Sequence, residues 1–221
     1  MTEYIVIFDL DGTLLNTLDD LHICFNYAIE KSGYPKRTIK EIRSFVGNGI
    51  RKAIERALPS DVSTDEINKI VSDFKIYYIE HMLEHTKPYD GIIDMLHELK
   101  QKGCKIGVVS NKYDDAVKKL CKMYFGDLVE YAVGEGYGIA RKPAPDGLNK
   151  CINELSIGCK NIIYIGDSEV DIQTAKNANI PCISVLWGFK DKDFLIKNGA
   201  KIFAEKPKDI IKIIEKKIYL E

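Results

Sequence analysis

The sequence predicts an α/β fold, a doubly wound parallel sheet with an inserted all-helical segment, on three observations. Short apolar runs of strand length recur along the chain, and each ends abruptly in polar or glycine residues. Helical patterns separate the later runs, which is the alternation of a parallel sheet covered by helices on both faces. Residues 15–84 break that alternation with helices alone. At 221 residues the chain accommodates one large domain, or one domain with a sizeable insertion, since domains run at roughly 100–200 residues.

The predicted strands are Tyr4–Phe8 before Asp9, Lys105–Val109 before Ser110, Asn161–Ile165 before Gly166, and Pro181–Val185 before Leu186. Each has the length and continuous apolar character of a strand buried on both faces. Ile92, Met95, Leu96 and Leu99 recur at helical spacing, as do Ala116, Val117 and Leu120, then Leu148, Cys151, Ile152 and Leu155. Pro207–Tyr219 has proline at a helix start and isoleucines at 210, 211, 213, 214 and 218, with Lys206, Lys208, Lys212, Lys216 and Lys217 as its solvated face. In the insertion, Leu18, Leu21, Phe25 and Ile29 form one helical face, followed by helices over Thr38–Phe45, Ile50–Leu58 and Thr64–Glu84. The expected organisation is a Rossmann-like core of residues 1–14 and 85–221 with a helical cap of residues 15–84.

Lys+Arg 32 against Asp+Glu 33 leaves a net charge of −1, so a nucleic-acid binder that works by neutralising phosphates is not expected. No apolar run approaches the roughly 18 residues of a membrane span. Met-Thr-Glu-Tyr leads straight into a strand without a signal peptide's pattern. Cys24, Cys104, Cys121, Cys151, Cys159 and Cys182 are scattered with no C-x-x-C pair and read as reduced, small core residues. The expectation is a cytoplasmic monomer or homodimer.

Four loops carry chemistry. Asp9-Leu10-Asp11-Gly12-Thr13 follows the first strand, and in an open parallel sheet ligands bind beyond the carboxyl ends of strands. Residues two apart on extended chain face one way, which would bring the two carboxylates together for a divalent cation. An Asp-Gly turn closing a strand is the plain alternative. Ser110-Asn111 holds the same place after its strand and suits either phosphate oxygens or a helix N-cap. Lys142 sits in Arg141-Lys142-Pro143-Ala144-Pro145-Asp146, where the prolines would fix a cation that could otherwise be an exposed loop lysine. In Gly166-Asp167-Ser168-Glu169-Val170-Asp171, Asp167 lies at a strand tip and Asp171 one helical turn on, where capping by Ser168 and complementing the helix dipole are the simpler roles. All four loops follow strands of one sheet, and together they supply a magnesium site beside a phosphate site.

With these motifs in that order, the chain resembles the haloacid dehalogenase superfamily phosphatases whose helical cap follows the first strand. The phosphoglycolate phosphatase-like group is similar in its cap turn Val46-Gly47-Asn48-Gly49-Ile50-Arg51, in Lys87-Pro88-Tyr89-Asp90-Gly91 and in Val185-Leu186-Trp187-Gly188-Phe189. Asn16 departs from that pattern, where an aspartate is usual.

The resemblance implies that Asp9 attacks phosphorus and that Asp11 protonates the leaving alcohol and later activates water. It implies Lys142, Ser110 and Asn111 at the phosphate, and Mg2+ held by Asp9, the Asp11 carbonyl, Asp167 and Asp171. Gly47, Asn48, Gly49 and Arg51 would read a small phosphorylated metabolite. A sugar phosphomutase would want a histidine where Leu21 stands, one residue before His22. A dehalogenase would lack Asp11, and a phosphonate-cleaving enzyme would want a buried cap lysine, for which Lys52 and Lys69 are unmarked. A pyrophosphatase and a silent phospho-ligand-binding module are the other readings.

Overall fold

The computed structural model describes residues 4–136, 138–156 and 161–216. Cys159, Lys217, Ile218 and Tyr219 lie outside the described residues. The chain forms two compact units, Met1–Leu15 with Pro88–Glu221, and Asn16–Lys87.

Strand β1 (Tyr4–Phe8) opens the chain, and β2 (Leu15–Asn16) leads into four helices, α1 (Leu18–Lys31), α2 (Ile39–Phe45), α3 (Ile50–Ala57) and α4 (Thr64–His81), before β3 (Lys87–Pro88). The two short strands pair with each other. The apolar stripe of α1 packs on α4 and α2, burying Leu21, Cys24, Phe25, Ala28 and Ile29 with Ile42, Ile70 and Phe74. Helix ends follow local chemistry. Thr38 and Glu41 form a capping box at the start of α2, and Ser63 accepts the Glu66 N–H at the start of α4. Asn16 Oδ1 accepts the Leu18 N–H at 3.3 Å, and His22 Nε2 lies 3.1 Å from the Arg37 carbonyl. Lys52 and Lys69 are exposed.

After β3 come α5 (Ile92–Gln101), β4 (Lys105–Tyr113), α6 (Asp114–Phe125), β5 (Tyr131–Glu135), α7 (Asp146–Leu155), β6 (Asn161–Gly166), α8 (Glu169–Asn177), β7 (Cys182–Val185), α9 (Lys192–Lys197), β8 (Ile202–Ala204) and α10 (Pro207–Lys216). The six-stranded sheet has the order β5-β4-β1-β6-β7-β8, with every pairing parallel. Ile5 and Ile7 of β1 pack with Leu148, Cys151 and Leu155 of α7 and Ala175 of α8. Val6 and Phe8 alternate to the opposite face, and α5 packs against α10. Ile210, Ile211, Ile213 and Ile214 of α10 are buried, while Lys206, Lys208, Lys212 and Lys216 are exposed. No described helix is long and apolar enough to cross a membrane.

Four strands go beyond the sequence expectation, the two-residue β2 and β3 and two strands of the large sheet. β5 contains Gly134 and is only partly buried, and β8 has three residues, so neither forms a continuous apolar run. β4 also continues past Val109, with a register shift before Tyr113 pairs with Glu135. Helix α6 therefore begins after Tyr113, and Ser110 and Asn111 are strand residues rather than its N-cap. The chain runs outward from β1 through β4 to β5 and returns to β6 on the other side of β1. That reversal opens a crevice at the carboxyl ends of the central strands.

Candidate active site

Three adjacent strands deliver the acidic and polar groups. Asp9 follows β1 and donates its N–H to Ile165 of β6 at 2.8 Å. Ser110 and Asn111 lie on β4, and Asp167 follows β6. Asp9, Asp167 and Asp171 are buried, and each offers a carboxylate oxygen within 4.8 Å of the others. Lys142 Nζ is 2.7 Å from Asp9 Oδ1, 2.7 Å from Asp171 Oδ1 and 2.9 Å from the Tyr164 hydroxyl.

Asp171 combines several roles. Its Oδ2 accepts the Ser168 hydroxyl at 2.6 Å and the Ser168 N–H at 3.1 Å, which closes the first turn of α8. Its Oδ1 accepts from Lys142 and, at 3.0 Å, from Tyr164. The capping role expected of the pair thus coexists with a place in the acidic cluster.

Asp167 is gripped differently. Its Oδ2 accepts the Phe189 N–H at 2.6 Å. A Cβ at Gly12 would fall 2.3 Å from Asp167 Oδ2, and one at Gly188 would fall 2.3 Å from Asp167 Cβ. The Asp167 side chain therefore occupies space that only glycine leaves at both positions. Trp187 Nε1 donates to the Thr13 carbonyl at 2.9 Å, tying the same loop to the turn after β1.

Burial drives the electrostatics. It pushes Asp9 up to about 7; Lys142 opposes that rise, and the charges of Asp171 and Asp11 add to it. Asp167 is raised well above the usual carboxylate range by burial, then by Asp171 and Asp9. For Lys142, burial works against the charge, but Asp171 and Asp9 outweigh it and hold the ammonium protonated. One ammonium among three buried carboxylates leaves negative charge uncompensated, and burying such charge is costly. An all-oxygen donor set of this kind suits a hard divalent cation, so the residues fit the metal that the motifs imply.

Not every expected residue joins this cluster. Asp11 turns its carboxylate to Lys112, whose Nζ lies 2.8 and 3.0 Å from its two oxygens. The side chains of Asp9 and Asp11 therefore meet different cations rather than one shared ion. Asn111 spends its amide on the Lys142 backbone, accepting the N–H at 2.7 Å and donating to the carbonyl at 3.0 Å. In the helical unit, Gly47 and Gly49 have φ of 118° and 78°, and Gly49 is the N-cap of α3. Arg51 bonds Glu55 and Asn68 within that unit, and Asn48 stands between the two glycines. Tyr164, Lys112 and Gly188 were not singled out as chemical residues from sequence. Tyr164 looks like any core residue of an apolar strand, whereas Lys112 carries one signal, its position directly after Ser110-Asn111.

Fold and site together define a doubly wound α/β enzyme with an acidic centre at its strand tips. The model of the haloacid dehalogenase-like hydrolase family matches residues 6–185. The chain belongs to this family, as an enzyme of its phosphatase class in the phosphoglycolate phosphatase-like group. It is 28% identical over 219 residues to a phosphoglycolate phosphatase of Aquifex aeolicus, covering 97% of this chain and 98% of that one. A phosphoglycolate phosphatase of Rhodobacter capsulatus is 31% identical over 189 residues, covering 84% and 85% of the two chains. The crystal structure of a candidate phosphoglycolate phosphatase from Lactobacillus delbrueckii superposes with a TM-score of 0.92 at 37% identity, covering 97% and 99%.

Proposed function

We propose that this protein is a magnesium-dependent phosphatase that hydrolyses a small phosphate monoester through an aspartyl-phosphate on Asp9, with phosphoglycolate the first substrate to test. The observation that carries the reading is the joint hold of Lys142 on Asp9 and Asp171, at 2.7 Å each, beside a third buried carboxylate.

Asp9, Asp167 and Asp171, with the Asp11 carbonyl, would hold the magnesium, which offsets the repulsion between carboxylate and phosphate when bound. Asp9 attacks phosphorus, and the bond from phosphorus to the alcohol oxygen breaks. Asp11 gives its proton to that oxygen and becomes a carboxylate. The same carboxylate then takes a proton from water as the water oxygen attacks the phosphorus of the aspartyl-phosphate. Inorganic phosphate leaves, with Asp9 restored and Asp11 protonated again. Lys142 keeps Asp9 oriented throughout, and Asn111 keeps Lys142 in place. Ser110 orients the phosphoryl oxygens. Uncatalysed phosphate monoester hydrolysis calls for accelerations up to ~10²¹, so positioning and charge stabilisation must provide most of the rate.

In the same reading, residues 15–84 act as a cap that selects the substrate through the Gly47-Asn48-Gly49 turn. Arg51 would exchange Glu55 and Asn68 for the substrate. The protein would act in the cytoplasm on a phosphorylated metabolite, as a monomer or homodimer. The test is phosphate release from phosphoglycolate, pyrophosphate, sugar phosphates and an aryl phosphate, with magnesium, with a chelator, and in Asp9→Asn. Release that needs magnesium and vanishes in Asp9→Asn supports the reading. No release from any of them by the folded protein sinks it and favours a mutase or a silent binder.

A further inference from the structure

The approach of Lys112 to Asp11 is built into the end of β4. The register shift between Val109 and Tyr113 re-aims the side chains there. The Lys112 N–H donates to Ser110 Oγ at 3.2 Å. β5 lies so close that a Cβ at Gly134 would fall 2.4 Å from the Lys112 carbonyl oxygen, and the Gly134 N–H donates to Asp114 Oδ1 at 2.9 Å. The Lys112 side chain is only 6% exposed, against 20% for Asp11. A desolvated ammonium is thus delivered to both oxygens of the carboxylate that serves the leaving alcohol.

We propose that Lys112 is a specificity-determining residue that reads a second anionic group on the alcohol half of the substrate. The inference rests on the roles given above to Asp9 and Asp11. Lys142 is committed to the nucleophile side of the site, at Asp9 and Asp171, whereas Lys112 stands at the other end of the reacting bond. Asp11 must reach the ester oxygen to protonate it, so a cation on Asp11 lies beside the departing alcohol. A carboxylate or second phosphate a few bonds from that oxygen would otherwise face the acidic cluster of Asp9, Asp167 and Asp171 in a partly dry site, where charges act strongly. Lys112 converts that repulsion into attraction, and an uncharged alcohol gains nothing from it. The preferred substrates are then phosphate esters of small hydroxy acids or of alcohols that already carry a phosphate.

Three two-carbon esters test this: phosphoglycolate, ethylene glycol bisphosphate and ethyl phosphate, which has no second anion. Wild type, Lys112→Met and Lys112→Arg are compared by kcat/KM with magnesium, after circular dichroism confirms folding. The expected result is a wild-type preference for an ester with a second anionic group over ethyl phosphate that falls roughly tenfold to hundredfold in Lys112→Met, as for loss of a charged hydrogen bond, and partly returns in Lys112→Arg. Whichever of the two anionic esters shows the larger fall identifies the anion that is read. Equal losses on all three esters would make Lys112 a prop for Asp11 alone and overturn the proposal. So would a wild-type preference near one, which needs no variant and holds even if the substitutions fail to fold. A wild type inert towards all three, and towards the wider substrate set, removes the phosphatase reading itself and the role of Lys112 with it.

Discussion

Asn111 holds Lys142 by its backbone from both sides, accepting its N–H at 2.7 Å and donating to its carbonyl at 3.0 Å. The side chain that the motif suggests for phosphate fixes the peptide from which the Lys142 ammonium projects. Asn111→Ala removes both bonds inside a buried loop, at a cost of about 1–3 kcal/mol for the groups left unpaired. Thermal unfolding should register that loss. Steady-state kinetics should show kcat lowered at least tenfold, because the Lys142 ammonium is no longer held on Asp9.

Tyr164→Phe isolates one hydroxyl, which accepts from Lys142 at 2.9 Å and donates towards Asp171 at 3.0 Å. The ring stays buried against the same neighbours, so the stability change should be about 1 kcal/mol. Lys142 and Asp171 lose a shared partner, and kcat should fall roughly tenfold while the fold persists. An unchanged kcat would make the tyrosine a packing residue.

The acidic cluster should leave a signature in the pH dependence of stability. A carboxyl whose folded pKa is raised binds more protons in the folded than in the unfolded chain between its ordinary value and its raised one, so stability falls as pH rises through that window. For Asp9 the window runs from 3.8 to about 7, and Asp167 is shifted in the same direction. In chelator, the Tm of Asp167→Asn relative to wild type should therefore climb steadily from about pH 4 to about pH 7.5, by at least ~2 °C, since 1 kcal/mol moves a domain of this size by ~2–4 °C. Added magnesium should raise the wild-type Tm more at the higher pH, and Asp167→Asn should lose much of that gain.

Gly188→Ala probes the cradle of Asp167. The new Cβ would lie 2.3 Å from Asp167 Cβ and 2.5 Å from the Gly12 carbonyl oxygen, so the carboxylate must shift. Displaced support for a metal ligand commonly costs ~10–100-fold in affinity. Activity titrated against magnesium should give a half-saturation point at least tenfold higher, with kcat partly restored at high magnesium. An unaltered titration would place Asp167 away from the cation.

Much of the architecture was legible in the chain because apolar patterning is local. β1, β6 and β7 are continuous apolar runs, and α1, α5, α7 and α10 carry their buried residues at helical spacing, so each element announces itself without its neighbours. β5 and β8 did not, since edge strands bury too little to need an apolar run. The loops bearing Asp9, Asp167 and Asp171 were equally readable, because each follows a strand whose end can be located, whereas Lys142 was marked by the prolines that stiffen its loop.

What the sequence by itself determined was the inventory: which carboxylates, cation and polar pair stand at strand ends, and that helices fill most of the stretch between β1 and α5. What only the tertiary structure decided was pairing. That Lys142 joins Asp9 to Asp171, that Asn111 serves Lys142, that Lys112 takes Asp11 and that Gly12 and Gly188 make room for Asp167 all depend on distances between segments far apart in the chain. Spacing along a sequence records which residues face one way on a single element. It carries no record of how close two elements come, and charge pairing at 2.7 Å is set by that approach.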